Sequence, residues 1–177
     1  PTRRSSDLAL PDVVTEVIAG VQGEARKKNI EIIEEVEQGL PNLNLDKQLS
    51  SLVIKQPLTN AIAYSNEGAT IKTSTFLVNT GGVVGTMTFP FDCIVVSVTD
   101  TGIGIPDTDQ SKIFTKMFRG SNVQDTVGSD SGLGLYIAKT VMNLPQVDGD
   151  IWFTSTVGKG TTFYIAFPTK GMKVKDG

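Results

Sequence analysis

The chain has 177 residues, a length typical of one compact domain with a sizeable core. Its 16 basic and 19 acidic residues nearly balance, which argues against broad electrostatic binding to nucleic acid or to a membrane surface. It contains no histidine, and this absence excludes Ser-His and Cys-His catalysis and most zinc sites. No apolar run reaches the length of a membrane span, and no signal-peptide pattern opens the chain. We therefore expect a cytoplasmic domain that makes no membrane contact itself, either alone or as the cytoplasmic part of a membrane-bound protein.

Both ends of the chain are predicted to lie outside the fold. Residues 1–8 are expected to be a non-native or linker segment, because Thr2–Leu8 resembles the translation of a sequencing adapter. Residues 9–169 are predicted to form one domain. Residues 170–177 are basic and flanked by glycine, which predicts a frayed tail.

The first third of the chain predicts two helices separated by a strand. Apolar residues recur at helical spacing over Leu10–Lys28, and Asn29–Val36 has the composition of an edge strand. Asp46 is a good N-cap for the second helix, which continues to Ser65. Pro57 lies in the middle of this helix, where a proline removes one hydrogen bond and usually produces a kink.

The middle of the chain predicts a buried central strand that ends at a charged turn. Two strands, 70–78 and 83–88, are predicted to form a hairpin around Asn79–Gly82. The β-branched run Ile94–Val98 then predicts a strand that is buried on both faces, and its neighbour Cys93 is expected to be core.

Asp100 follows that strand directly, and Gly102 and Gly104 come after it. A buried carboxylate needs a partner, and the exocyclic amine of a base could provide one. The two glycines lack a Cβ, so they let the backbone approach a ligand closely.

The last third predicts a short helix, a lid and a closing hairpin. The short helix is expected over 109–118, and the polar segment 119–131 is expected to be a mobile lid. Glycines then open an amphipathic helix over Gly132–Met142, and a helix N-terminus of this kind is a physical anion site. Two strands, Asp150–Thr156 and Thr161–Phe167, complete the domain, with Trp152 expected to pack in the fold.

These segments could each contact a different part of one nucleoside triphosphate. Asn60 could hold a magnesium ion, which prefers oxygen ligands, and Asp100 could read the base. Gly132 and Gly134 could bring backbone N–H groups to the phosphates. The common nucleotide motifs are absent, because the chain has neither a complete P-loop sequence nor the third glycine of a dinucleotide fingerprint.

The order of the motifs resembles one family, the ATP-binding catalytic domain of sensor histidine kinases within the gyrase, Hsp90, histidine kinase and mismatch-repair ATPase superfamily. The resemblance extends from about Leu8 to Pro168. Five motifs carry it, and they resemble in turn the N box, the first glycine box, the F box, the second glycine box and the final hairpin: Asn60–Ser65, Asp100–Ile105, Phe114–Arg119, Ser131–Leu135 and Gly158–Phe163.

The resemblance implies a two-layer α/β sandwich, with a mixed, largely antiparallel sheet and helices packed on one face. It implies ATP and Mg²⁺ as ligands. Asn60 would bind the metal, and Asn60, Lys116 and Arg119 would be the catalytic residues. The implied nucleotide-binding residues are Asn60, Tyr64, Asp100, Gly102, Gly104, Ile105, Phe114, Gly132, Leu133, Gly134, Leu135 and Thr161.

Three positions depart from the family's pattern. Ala63 stands where the family commonly has a lysine, and Gln56 stands where it commonly has an asparagine. The helix-breaking Pro57 follows directly. Members that hydrolyse ATP have a glutamate as general base at the position of Gln56, and an amide cannot take a proton from water. The resemblance therefore favours phosphoryl transfer to a partner over hydrolysis.

The function that the resemblance implies is transfer of the γ-phosphate from Mg-ATP to a histidine on a separate dimerisation domain, which is absent from this chain. A response regulator would be the later partner, and no nucleic acid is expected. Two alternatives stay open at this stage. One is a degenerate nucleotide-binding regulatory module without phosphotransfer, and the other is a serine kinase of the anti-sigma-factor type.

Overall fold

The computed structural model of the protein describes residues 5–122 and 132–171. Within these residues the chain forms four helices and nine strands. In chain order they are β1 (Ser6–Leu8), α1 (Leu10–Lys27), β2 (Glu31–Val36), β3 (Leu43–Leu45), α2 (Lys47–Tyr64), β4 (Thr70–Val78), β5 (Val83–Val84), β6 (Met87–Thr88), β7 (Cys93–Thr99), α3 (Asp107–Gln110), α4 (Gly134–Met142), β8 (Asp150–Thr156) and β9 (Gly160–Pro168).

One five-stranded sheet forms the main layer, in the order β2-β4-β7-β9-β8. The pairing of β2 with β4 is parallel, and the other three pairings are antiparallel. Helix α2 packs against both α1 and α4, and all three helices contact strands of the sheet. The predicted fold class, a two-layer sandwich with a mixed and largely antiparallel sheet, is confirmed.

The main core lies between the helices and the sheet. The helices bury one apolar stripe each, because their apolar residues recur every three to four positions. Strand β7 is the centre of the sheet, and its residues from Cys93 to Val98 are buried on both faces. This confirms the buried central strand expected from the sequence.

A second apolar cluster covers part of the other face of the sheet. The chain between β4 and β7 folds back there, and Phe89 lies 5.6 Å from Trp152, ring centre to ring centre. Trp152 also stacks on Tyr164 at 5.4 Å, and its indole N–H donates to the carbonyl oxygen of Val84 at 3.2 Å. These contacts confirm that Trp152 packs in the fold. Burial in this cluster raises the pKa of the Cys93 thiol to about 11.

Helix α2 carries several predicted site residues and is fixed at its start. The carboxylate of Asp46 accepts a hydrogen bond from the backbone N–H of Leu49 at 2.9 Å, which is the predicted N-cap. The helix continues through Pro57 as far as Tyr64. Its buried side chains include Val53, Ile54, Leu58 and Ile62.

Part of each predicted chain end lies within the described residues. Ser6–Leu8 forms β1 and pairs with β3, although residues 1–8 were expected to lie outside the fold. At the other end, Lys170 donates to the carboxylate of Asp148 at 2.9 Å, and the Gly171 N–H donates to the carbonyl oxygen of Pro168. These contacts hold the first two residues of the expected frayed tail. Residues 172–177 lie outside the described part.

The predicted hairpin after α2 is wrong in its pairing. The turn at 79–82 forms. Strand β4, however, pairs with β2 and β7, and residues 83–88 form a separate ribbon in which the two-residue strands β5 and β6 pair with each other. Gly85, with a positive φ of 59°, interrupts residues 83–88. The longer strands β2 and β7 therefore satisfy more of the backbone donors and acceptors of β4 than residues 83–88 could.

The predicted helix over 109–118 is also shorter than expected. Helix α3 covers only Asp107–Gln110, and turns follow it, with Met117 in the left-handed region at a φ of 60°. Helix α4 begins at Gly134 instead of the predicted Gly132, and its Ile137 is 40% exposed. Of the predicted lid 119–131, residues 123–131 lie outside the described part. In the part that the structure describes, no helix is long and apolar enough to cross a membrane.

Candidate nucleotide-binding site

A cavity lies between α2, the loop that follows β7 and the start of α4. Its empty volume is about 770 Å³, including the space that opens to solvent. Ten of the site residues predicted from the sequence line it, and they come from five separate segments of the chain: Asn60, Tyr64, Asp100, Gly104, Ile105, Arg119, Gly132, Gly134, Leu135 and Thr161. The fold therefore brings together residues as far apart in the chain as Asn60 and Thr161.

Six further residues, which the sequence did not single out, also line the cavity. They are Ile103, Ile113, Phe118, Gly120, Asn122 and Phe163. Phe118 lies in the F box and Ile103 between the two glycines of the first glycine box, so motif position could have found both. Phe163 ends the final-hairpin motif, so motif position could have found it as well, whereas Ile113 gave no separate signal, because an apolar residue at that spacing is typical of core.

Four predicted site residues do not line the cavity. They are Gly102, Phe114, Lys116 and Leu133. Lys116 is exposed. Phe114 packs instead among aromatic rings, 5.9 Å from Phe153 and 6.4 Å from Phe163, with the ammonium of Lys139 5.3 Å from its ring centre. It contacts Phe163, which lines the cavity, and its own role at the nucleotide stays a prediction.

Asp100 is the buried acidic group of the cavity and is 7% exposed. Its Oδ1 accepts hydrogen bonds from the backbone N–H of Gly102 at 2.8 Å and of Thr161 at 3.3 Å. Among the described residues, both donors reach Oδ1, so Oδ2 is left as an acceptor for a ligand in the cavity. Burial raises the pKa of Asp100 above its usual value, and the two backbone N–H groups partly oppose that rise.

Gly102 and Gly104 shape the loop after Asp100. A Cβ on Gly102 would lie 2.9 Å from the carbonyl carbon of Tyr64, so the glycine allows this loop to lie directly against the end of α2. Gly104 has a φ of +69°, and a Cβ there would lie 2.8 Å from the Cα of Val157. Gly102 therefore acts on the site through packing, although it does not line the cavity.

A hydroxyl network connects this loop to the last hairpin. Ser155 Oγ accepts from the backbone N–H of Ile105 at 2.8 Å and donates to the carbonyl oxygen of Gly160 at 3.1 Å. Its 2.8 Å contact with Thr161 Oγ1 is then donated by Thr161, because a serine hydroxyl has only one hydrogen. Thr161 is thereby oriented with its lone pairs available, as a second acceptor near Asp100.

The segment after α3 is held to the cavity at two points. Asp109 is 6% exposed, and its Oδ2 accepts from the backbone N–H of Ser121 at 2.6 Å and from its hydroxyl at 2.7 Å. These donors lower the pKa of Asp109 below its usual value. The side-chain amide of Asn122 donates to the carbonyl oxygen of Gly104 at 3.1 Å. Ser121 and Asn122 are thus held in place near the start of the predicted lid.

The start of α4 forms another wall of the cavity. Among the described residues, no side chain caps this helix at Leu133, and Gly134 and Leu135 line the cavity with its first turn. A Cβ on Gly134 would lie 2.8 Å from the side-chain carbon Cδ of Gln56, so α2 and α4 meet closely at this point. Backbone N–H groups of a first helical turn can bind an anion such as phosphate.

Comparison with known proteins places this geometry in a family. Residues 46–171 match the family model of histidine kinase-, DNA gyrase B- and HSP90-like ATPases. The adaptive-response sensory kinase SasA of Synechocystis is 32% identical over 161 residues, which are 91% of this chain and 38% of that protein. The sensor-like histidine kinase SenX3 of Mycobacterium bovis is 31% identical over 92% of this chain and 36% of its own length. The chain thus spans less than two fifths of these relatives.

Solved structures show the same fold. The nucleotide-free catalytic domain of the histidine kinase ThkA has a TM-score of 0.74 at 24% identity, covering 93% of this chain and 95% of that domain. The mycobacterial sensor histidine kinase MprB has a TM-score of 0.72 at 21% identity, covering 94% of this chain and all of that one. The fold, the motif order and the family match agree: the chain belongs to the histidine kinase-, DNA gyrase B- and HSP90-like ATPase family.

Proposed function

We propose that this domain binds Mg-ATP in the cavity and donates the γ-phosphate to a histidine of a dimerisation domain outside this chain. The observation that carries the proposal is the buried carboxylate of Asp100, whose Oδ1 is occupied by two backbone donors while Oδ2 is left for the cavity. A buried carboxylate oxygen requires a donor, and the exocyclic amine of adenine is one.

The other walls of the cavity suit the remaining parts of the nucleotide. Thr161 adds an acceptor beside Asp100, and the rings of Tyr64 and Phe163 supply apolar surface for a base. The start of α4 and the exposed cation of Arg119 both line the cavity and suit phosphate oxygens. This arrangement would orient a triphosphate with its base at one end and its phosphates at the other.

Asn60 fits a magnesium ligand, because its amide oxygen is a hard donor that lines the cavity from α2. When bound, Mg²⁺ would neutralise phosphate charge and help to orient the transferred group. Asn60 would hold the ion, and Arg119 and the start of α4 would hold the phosphates. Lys116, the third catalytic residue predicted from the sequence, is exposed outside the cavity and stays a prediction.

Phosphotransfer is favoured over hydrolysis by Gln56, which lies beside Gly134 where α2 meets α4. An amide cannot act as general base toward water, so the side chain gives no means of activating a hydrolytic nucleophile.

The chain contains no histidine, so the acceptor must belong to another domain or protein. One relative in fold, ThkA, has been solved in complex with the response regulator TrrA, and we propose a response regulator as the later partner here. A cytoplasmic location stays a prediction.

Asn60 gives a direct test of the metal. Calorimetric titration with a non-hydrolysable ATP analogue should show tighter binding with magnesium than without it, and Asn60→Ala should remove that difference. Asn66→Ala, in the exposed turn after α2, is the matched control and should behave as the wild type. A wild type that binds no analogue at millimolar concentration would overturn the proposal.

Ala63 supports a second candidate, a nucleotide-binding module without phosphotransfer, because a methyl group stands where the family commonly has a cation. Mixing the domain with ATP and a histidine-bearing dimerisation domain separates the two functions. An acid-labile phosphoprotein is expected from the kinase. Nucleotide binding without any phosphoprotein would favour the regulatory module, and acid-stable phosphoserine on a partner would favour the anti-sigma-type kinase.

A further inference from the structure

The ammonium group of Lys28 lies at the C-terminal end of α2, although Lys28 directly follows α1 in the chain. The half-buried side chain donates to the carbonyl oxygens of Ile62 at 2.7 Å, Ala63 at 3.0 Å and Ser65 at 2.6 Å. An ammonium has three N–H donors, so one turn of backbone engages all of them.

This contact satisfies a need that α2 does not meet itself. The last carbonyl groups of a helix lack intrahelical partners and carry the negative end of the helix dipole. The structure describes α2 in full, and its last turn contains no basic residue. Lys28 therefore supplies the positive charge from a different segment.

The anchored turn belongs to the half of α2 that carries Asn60 and Tyr64. Pro57 has no N–H, so the hydrogen bond that residue 57 would donate to the carbonyl group of Val53 is missing. The half of α2 after Pro57 is therefore less firmly held by the half before it. The end of that half depends more on outside contacts. Lys28 supplies one of them, and the close packing of Gly102 on the backbone of Tyr64 supplies another.

We propose that Lys28 is a positioning residue of the nucleotide site, and that its ammonium fixes the last turn of α2 so that Asn60 and Tyr64 meet the nucleotide. The proposal rests on the proposed function of the cavity. Lys28 does not line the cavity itself, so it acts only through the backbone that it binds.

Two other contacts hold the same segment to the loop after α2. The carbonyl oxygen of Lys28 accepts from the Gly68 N–H at 2.9 Å, and the side-chain amide of Asn29 donates to Glu67 at 2.8 Å. Both contacts are independent of the Lys28 side chain. A Lys28→Met variant keeps them together with most of the apolar stem.

The test compares Lys28→Met with Lys28→Arg and with Lys27→Met, an exposed neighbour that serves as the control. Analogue affinity is measured by calorimetry well below the unfolding temperature of every variant. Hydrogen exchange of the amides of residues 61–65 is measured without nucleotide. We expect Lys28→Met to weaken binding about tenfold, the upper range for a cation at a helix C-terminus, and to lose protection in this turn.

Lys28→Arg, which keeps the charge and has more donors, should recover part of both signals, and Lys27→Met should match the wild type. A lower melting temperature of Lys28→Met with unchanged affinity and protection would show a purely structural role and overturn the proposal. If the wild type binds no analogue, the proposed function of the cavity fails and the nucleotide part of this inference fails with it. The exchange measurement still decides whether Lys28 orders the end of α2.

Discussion

Replacing Asp100 by asparagine should separate nucleotide binding from folding. The two backbone donors at 2.8 Å and 3.3 Å both meet Oδ1, so the amide oxygen of an asparagine can take the same place and keep both hydrogen bonds. The amide nitrogen then replaces Oδ2. A donor would face the amine of the base where the wild type presents an acceptor.

The expected loss follows from that exchange. A hydrogen bond to a charged group contributes about 1.5–3 kcal/mol, and an unpaired buried donor costs about 1–3 kcal/mol more. Together these terms predict that the Kd for a non-hydrolysable ATP analogue rises at least about 50-fold. Calorimetric titration measures this, and Asp92→Asn, an exposed residue at the other end of β7, controls for the change in net charge.

The thermal stability of Asp100→Asn should stay the same or rise, although its affinity for the nucleotide falls. Burial raises the pKa of Asp100, so its contribution to stability is fully present below the unfolded pKa and is lost as the pH rises through the folded pKa. At neutral pH the neutral asparagine avoids this loss. The variant should therefore unfold at the same temperature as the wild type or higher. A variant that binds as tightly as the wild type, or one that fails to fold, would refute the reasoning about Oδ2.

Three further predictions use the same structure. First, the affinity for the analogue should fall as the pH is lowered through the raised pKa of Asp100, because protonation of the carboxylate removes the acceptor. The analogue's own titration affects the wild type and Asp100→Asn equally. Calorimetry of the variant over the same pH range should therefore lack the part of the fall that belongs to Asp100. Second, Gly104→Ala should lower the free energy of unfolding in denaturant more than Gly158→Ala. Both glycines have positive φ, at a cost of about 1–2 kcal/mol for alanine, but only Gly104 is also crowded by neighbouring backbone. Equal losses would contradict the crowding argument. Third, the Cys93 thiol, buried and with its pKa raised to about 11, should react with a thiol reagent at pH 8 only in unfolded protein; fast reaction of folded protein would contradict its burial.

The sequence predicted well where one local pattern decides the structure. Asp46 forms the expected N-cap, and the apolar run of β7 is the central strand. It also predicted ten of the residues that line the cavity, because each motif marks a place where backbone approaches the cavity or a polar group is buried.

The failures occur where partners distant in the chain decide. Gly85 interrupts residues 83–88, but no local pattern indicates that β4 will pair with β2 and β7. Phe114 and Phe118 both fit helical core spacing, yet only Phe118 lines the cavity. The left-handed Met117 between them redirects the chain, and no periodic pattern reports such a turn.

The same limit applies to the site itself, where the structure adds indirect contacts to the motif residues. Asp100 depends on Gly102 and Thr161 for its orientation, and Thr161 depends on Ser155, which belongs to none of the motifs. Lys28 is a further case, because an unremarkable lysine after α1 holds the backbone beside Tyr64. A motif identifies the groups that would contact a nucleotide. The affinity of the site depends as much on the residues that fix those groups in place, and these are found only when the fold brings them together.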